Sequence, residues 1–136
     1  FEEAQADYVV WLFVRNWAND VDLTVWYEFQ GPGWRNGGLL DDTQSPKPAY
    51  NALQFLTQEL AGSSYTGRVL ENTAVDAYEF ARTDVKVWVM WSPDEMNHTV
   101  SLPPSALRAY NKYGVLIPIT SNQITVNSPV YVELPR

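Results

Sequence analysis

The chain has 136 residues, 46% of them hydrophobic, with nine Lys and Arg against sixteen Asp and Glu and a net charge of −7. That length suits one ordinary domain, or a small domain with part of another, and falls short of a complete eightfold β/α barrel, which takes roughly 200 residues or more. The acidic balance speaks against a nucleic-acid partner, and the absence of cysteine excludes disulfides, thiol catalysis and cysteine metal sites.

A single histidine, His98, excludes two-histidine zinc sites and makes a serine–histidine triad improbable. The longest strongly apolar run, Tyr8 to Val14, is far too short to cross a membrane, and no basic segment precedes it to make a signal peptide. No membrane partner is therefore expected. Aromatic residues reach 14%, with six Trp and eight Tyr, enough to supply both a core and a stacking surface.

Glu2 and Glu3 suit the first turn of a helix, and Ala4, Tyr8, Trp11 and Leu12 recur at helical spacing. Val9, Val10, Phe13 and Val14 occupy its other faces, so this helix needs cover on more than one side. A buried strand over Tyr8–Val14 is the competing assignment. Asn16, Asn19 and Asp20 end the element. Leu23 to Gln30 reads as a strand: Leu23, Val25, Tyr27 and Phe29 form an apolar face expected to lie under helices. Thr24, Trp26, Glu28 and Gln30 form a polar face around one indole, expected to open on a pocket.

Glycines at 31, 33, 37 and 38 mark residues 31–38 as a loop. Pro48 suits the first position of a second helix, in which Ala49, Leu53, Leu56 and Leu60 share a face and Gly62 caps the end. The sequence changes character between residues 61 and 66. Beyond that point come short strands near Tyr65–Glu71, Ala74–Ala81, Val85–Ser92, Thr99–Leu102, Leu107–Asn111, Val115–Ile119, Gln123–Val126 and Val130–Leu134. Pro93-Asp94-Glu95, Pro103-Pro104, Tyr113-Gly114, Ser121-Asn122 and Asn127-Ser128-Pro129 separate them. Short strands at such spacing point to an antiparallel sandwich, with Val85–Ser92 near its centre.

The order Glu2–Tyr8, Leu23–Phe29, Gly38–Asp41 and Lys47-Pro48-Ala49-Tyr50 resembles the end of a clan A glycoside hydrolase barrel: helix 7, strand 8, its loop and helix 8 of enzymes of the β-xylosidase, α-iduronidase and cellulase-like type. The second half, with Pro129-Val130-Tyr131-Val132-Glu133, resembles the β-sandwich that follows the barrel in many of them. The resemblance implies an α+β chain in two parts: an αβα fragment of a (β/α)8 barrel in residues 1–62, then an antiparallel β-sandwich of about eight strands in residues 63–136. It also implies a carbohydrate ligand, an oligo- or polysaccharide. The barrel is completed by a remainder lying elsewhere, or by another copy of the chain. A secreted location fits the family.

Such retaining enzymes act through two glutamates about 5 Å apart, one attacking the anomeric carbon and one protonating the leaving oxygen. Both are expected upstream of Phe1, so no catalytic residue is assigned here and the chain alone is not expected to be active. No cofactor or metal is implied. Trp26 matches the strand 8 aromatic that floors the subsite for the cleaved sugar, and an indole face complements the C–H face of a pyranose; core packing is the bland alternative. Glu28 on the same face is a candidate for bonding a sugar hydroxyl, or a solvated strand-end carboxylate. Trp34, in the glycine-rich loop, is a candidate for the rim of the site. Asp41-Asp42 is read as a solvated turn rather than a calcium site. Trp88 and Trp91 lie on opposite faces of one strand and are read as core. His98 is expected at the surface, and Asn97-His98-Thr99 satisfies an N-glycosylation sequon. A stand-alone carbohydrate-binding or structural β-sandwich module is the alternative function.

Overall fold

A computed structural model describes residues 1–31, 34–70 and 73–136, with the Trp34 side chain outside the description. Glu71, the expected end of the first sandwich strand, also lies outside the described residues.

Helix α1 spans Glu2–Ala18 and α2 spans Pro48–Glu59. The strand assignment for Tyr8–Val14 is thereby excluded. Acidic Glu2 and Glu3 open α1 and Arg15 lies in its last turn, each favourable to the helix dipole. Lys47, with extended backbone, leads into Pro48 at the start of α2.

Eight strands follow among the described residues: β1 Ser64–Arg68, β2 Asp76–Ala81, β3 Val85–Trp91, β4 His98–Ser101, β5 Arg108–Asn111, β6 Leu116–Ile117, β7 Gln123–Val126 and β8 Val130–Pro135. They form a six-stranded sheet in the order β1-β2-β3-β8-β5-β6 and a two-stranded sheet of β4 and β7, with every pairing antiparallel. β3 lies inside the larger sheet, as its two apolar faces require.

The two faces of the larger sheet bury different partners. Tyr78, Phe80, Val87, Val89, Trp91 and Tyr131 point to one side and join Ala6, Val9, Val10 and Val14 of α1 and Ala49, Ala52 and Leu56 of α2 in one core. Ala77, Met90, Val130 and Val132 point to the other side and pack with Val100, Ile124 and Val126 of the small sheet. The sandwich is thus unequal, six strands against two, and the helices cover the face that the small sheet does not. The helix side of the core holds the largest buried rings, Trp91, Tyr131 and Phe80. Two strands alone could not enclose both faces.

Among the described residues, the segment expected as a strand, Leu23–Gln30, forms no ladder, its strand-type pairing being an isolated bridge between Gln30 and Leu40. A strand needs neighbours to satisfy its amides and carbonyls, and no other strand of the described residues runs beside it. Residues 22–29 stay extended and irregular, and the Tyr27–Glu28 peptide is cis.

Candidate functional site

Three apolar stripes run along α1. Two are buried in the core. The third, Ala4, Tyr8 and Leu12, is left without a layer over it and faces residues 25–27 across an open groove of about 450 Å³. Phe1, Gln5, Trp26, Arg35 and Gly37 complete the walls.

Alternation along residues 23–29 is as expected, but its orientation is reversed. Leu23, Val25, Tyr27 and Phe29 are exposed, at 76%, 72%, 73% and 61%. Thr24, Trp26 and Glu28 are half-buried toward the body of the protein. The expectation that helices cover the Leu23 face is therefore corrected. α1 and the loop take the Trp26 side, because Trp26 has the only indole in the segment and its N–H finds an acceptor there.

That acceptor is the Gly37 carbonyl, 2.9 Å from Nε1 of Trp26. Nε2 of Gln5 donates to the same oxygen, also at 2.9 Å. The Trp26 and Tyr8 rings are tilted at 58° with centroids 6.0 Å apart. Asn16 Nδ2 donates to the Thr24 hydroxyl at 3.1 Å, tying the start of the segment to the end of α1.

The loop over residues 31–40 is folded back tightly. A Cβ at Gly38 would lie 2.4 Å from the Gly31 carbonyl oxygen and 2.9 Å from that of Leu40, so only glycine fits. Leu39 and Leu40 donate to the Phe29 carbonyl at 3.0 and 2.9 Å. Buried Lys47 donates to the Asn36 carbonyl at 2.8 Å from below. Together these bonds hold the Gly37 carbonyl where Trp26 needs it.

Of the sequence-derived candidates, Trp26 therefore sits in the groove wall with its N–H engaged, and Glu28 lies two residues on, half-buried. Trp34 begins a short 3-10 turn, Trp34–Asn36, but its side chain is outside the described residues. Tyr8, Val25 and Tyr27, which line the groove, were not singled out from sequence. The signal for them was the apolar alternation itself, in a strand with nothing to pair with. Asp41 spends its carboxylate on its own turn: Oδ1 accepts from the Thr43 amide at 2.8 Å, the Thr43 hydroxyl at 2.7 Å and the Ser45 amide at 2.9 Å. No cluster of three or more His, Asp or Glu suited to a metal occurs among the described residues. None of the helices described is long and apolar enough to cross a membrane.

No family model matches the chain, and no curated protein matches it. Among solved structures it is similar to a family 39 glycoside hydrolase from the gut symbiont Bacteroides cellulosilyticus WH2, with a TM-score of 0.81 and 21% sequence identity. The likeness covers 98% of this chain and 31% of that one. At this identity the two share a fold.

Proposed function

We propose that this chain is the C-terminal portion of a glycoside hydrolase, in which residues 1–62 close a β/α barrel and residues 63–136 brace it. One observation carries most weight: a fold that matches 31% of a glycoside hydrolase while covering 98% of this chain. The uncovered surface fits it. Leu23, Val25, Tyr27 and Phe29 on the extended segment and Ala4, Tyr8 and Leu12 on α1 are apolar surface of the kind a barrel strand and its helix bury against neighbouring strands.

In this reading the missing strands lie against residues 23–29, and the catalytic glutamates belong to those strands. Trp26, Glu28 and Trp34 contribute to the sugar site, Trp26 by stacking on a pyranose ring and Glu28 by accepting from a hydroxyl. The partner is a carbohydrate, and the chain alone has no hydrolytic activity.

The test is reconstitution. The 136-residue chain is assayed on aryl glycosides alone and after co-expression with the sequence that precedes it. Expected is no turnover alone and turnover with the barrel supplied, reduced at least tenfold by Trp26→Ala. Turnover by the chain alone would overturn the proposal, as would a preceding sequence without strand-borne glutamates. A second reading, a stand-alone carbohydrate-binding module, is favoured by the Tyr8, Trp26 and Tyr27 rings around the groove. Calorimetric binding of xylan, cellulose or pectic fragments by the chain alone, lost on Tyr27→Ala, would select it.

A further inference from the structure

We propose that the cleft between α2 and the β5–β6 turn is a carbohydrate site, which takes a neutral oligosaccharide through the side-chain amides of Asn51, Gln54 and Gln58 and the Tyr113 ring. The cleft shares no residue with the groove beside Trp26, and this chain supplies its walls, so the proposal stands or falls apart from the glycosidase reading.

The cleft encloses about 400 Å³, within the roughly 300–1,000 Å³ of small-molecule sites. Asn51, Gln54 and Gln58 follow one another three and four positions apart on α2, the spacing that sets side chains side by side along a helix. All three are exposed, and none of their side chains has a hydrogen-bond partner among the described residues. A primary amide carries two N–H donors and an acceptor oxygen in one plane. Neighbouring hydroxyls of a sugar, each donor and acceptor at once, match that arrangement.

The other wall is built in advance. Gly114, at φ +82°, brings the turn so close to α2 that a Cβ there would lie 2.5 Å from Cδ2 of Phe55. Asn111 Oδ1 accepts from the Tyr113 and Val115 amides at 2.9 and 3.0 Å and fixes the turn. The Tyr113 hydroxyl donates to Oε2 of Glu3 at 2.8 Å, and Nζ of Lys112 lies 5.2 Å from the ring centroid. A ring held by its own amide, its hydroxyl and a cation costs little further ordering when a ligand arrives.

Charge selects the class of ligand. Glu3 is the carboxylate among the described residues lining the cleft, and Nζ of Lys112 neutralises it from 2.9 Å. No lysine or arginine is among those residues, so nothing there would hold an anion, and a chain of net charge −7 repels acidic polymers. A neutral, hydroxyl-rich ring fits: its C–H face against an aromatic side chain, its rim against amides.

The experiment titrates the isotope-labelled chain with cellohexaose, xylohexaose and maltohexaose, and with hexagalacturonate as the acidic control, following side-chain N–H resonances by NMR. At least one neutral sugar is expected to shift the Asn51, Gln54 and Gln58 amides to saturation, with hexagalacturonate leaving them in place. Gln54→Ala combined with Gln58→Ala replaces two exposed side chains by a good helix former, so the variant should keep its thermal midpoint while binding weakens by about tenfold. No amide shift with any of the three neutral sugars would overturn the proposal. So would shifts confined to the Trp26 indole N–H, which would assign the sugar to the groove, a double variant that binds as tightly as wild type, or hexagalacturonate binding as tightly as the neutral sugars.

Discussion

Nζ of Lys112 lies 2.6 Å from Oδ1 of Asp7, joining the second turn of α1 to the end of the sheet across 105 positions of sequence. The lysine side chain is only 6% exposed and the aspartate 20%. The same Asp7 oxygen accepts from the Ser128 hydroxyl, and Lys112 also lies 2.9 Å from Oε2 of Glu3. Removing one partner of a buried ion pair leaves the other charge stranded. Lys112→Met should destabilise the chain by about 3 kcal/mol, and adding Asp7→Asn should recover part of the loss. Chemical unfolding of the single and double variants measures both; an unchanged single-variant midpoint would remove Lys112 from this role.

Acid should act first on carboxylates that the fold holds below their ordinary value. Hydrogen bonding to Lys112, aided by Tyr113 and opposed by burial, holds Glu3 below the ordinary carboxylate value. Burial raises Glu79, but bonds from Trp88, Thr66 and Lys86 outweigh it and lower the group overall. A depressed carboxylate adds stability above its unfolded value, here 4.5, and that stability is lost as pH falls through the folded value. Trp88 Nε1 donates to Glu79 Oε2 at 2.9 Å. Trp88→Phe should therefore move the acid-unfolding midpoint upward in pH. A midpoint that stays in place would mean the indole bond does not hold Glu79 down.

Trp91 is the centre of an aromatic stack. Tyr78 lies against it at 5.2 Å and 17°, Trp11 at 6.3 Å and 30°, and the Arg15 guanidinium sits 5.3 Å from its ring centroid. The ring is fully buried, yet its N–H has no partner among the described residues. Trp91→Ala should cost about 3–5 kcal/mol. Trp91→Phe keeps a ring and deletes the orphaned donor, so it should cost less than half as much. Equal losses in thermal unfolding would show that the stack depends on the indole itself.

Gly38→Ala tests the loop that positions Trp26. The added carbon would collide with two backbone oxygens, at 2.4 and 2.9 Å, which cannot step aside as a side chain can. The expected cost is about 1–3 kcal/mol. The Trp26 indole N–H resonance should also shift, because its acceptor at Gly37 must move with the loop. A variant of unchanged stability and unchanged indole resonance would show that the loop relaxes without disturbing Trp26.

The exposed apolar row gives a contrast. Leu23→Lys and Val25→Lys alter side chains that are 76% and 72% exposed, so stability should change by no more than about 0.5 kcal/mol. Self-association of the isolated chain, followed by light scattering, should fall. In the reconstitution assay the same double variant should fail to restore turnover. A large loss of stability would instead place these residues in the core of the chain.

Much of the fold was written locally. Pro48 with Ala49, Leu53 and Leu56 defined α2, and the turn residues from Pro93 to Pro129 separated strands whose ends fall within a few residues of those expected. α1 carried apolar residues on nearly every face, enough to show that one layer could not cover it. The two faces of residues 23–29 were also legible, since alternation is a property of extended backbone.

Tertiary structure alone decided which of those faces is buried. Burial depends on what stands opposite, and no strand among the described residues stands beside Leu23, so Trp26 turns to α1 and Gly37 while the apolar row is left open. It decided the strand order, which sets β8 between β3 and β5, and it divided the cover of the large sheet between helices and β4–β7. Glu59 shows the limit most plainly. Its position after Ala52 and Leu56 puts it on the inner face of α2, but its charge state follows from Glu133, Arg82 and Arg108, which reach it through space. Chain periodicity is set by neighbours in sequence; solvation and ionisation are set by neighbours in three dimensions, and these exist only once the chain has folded.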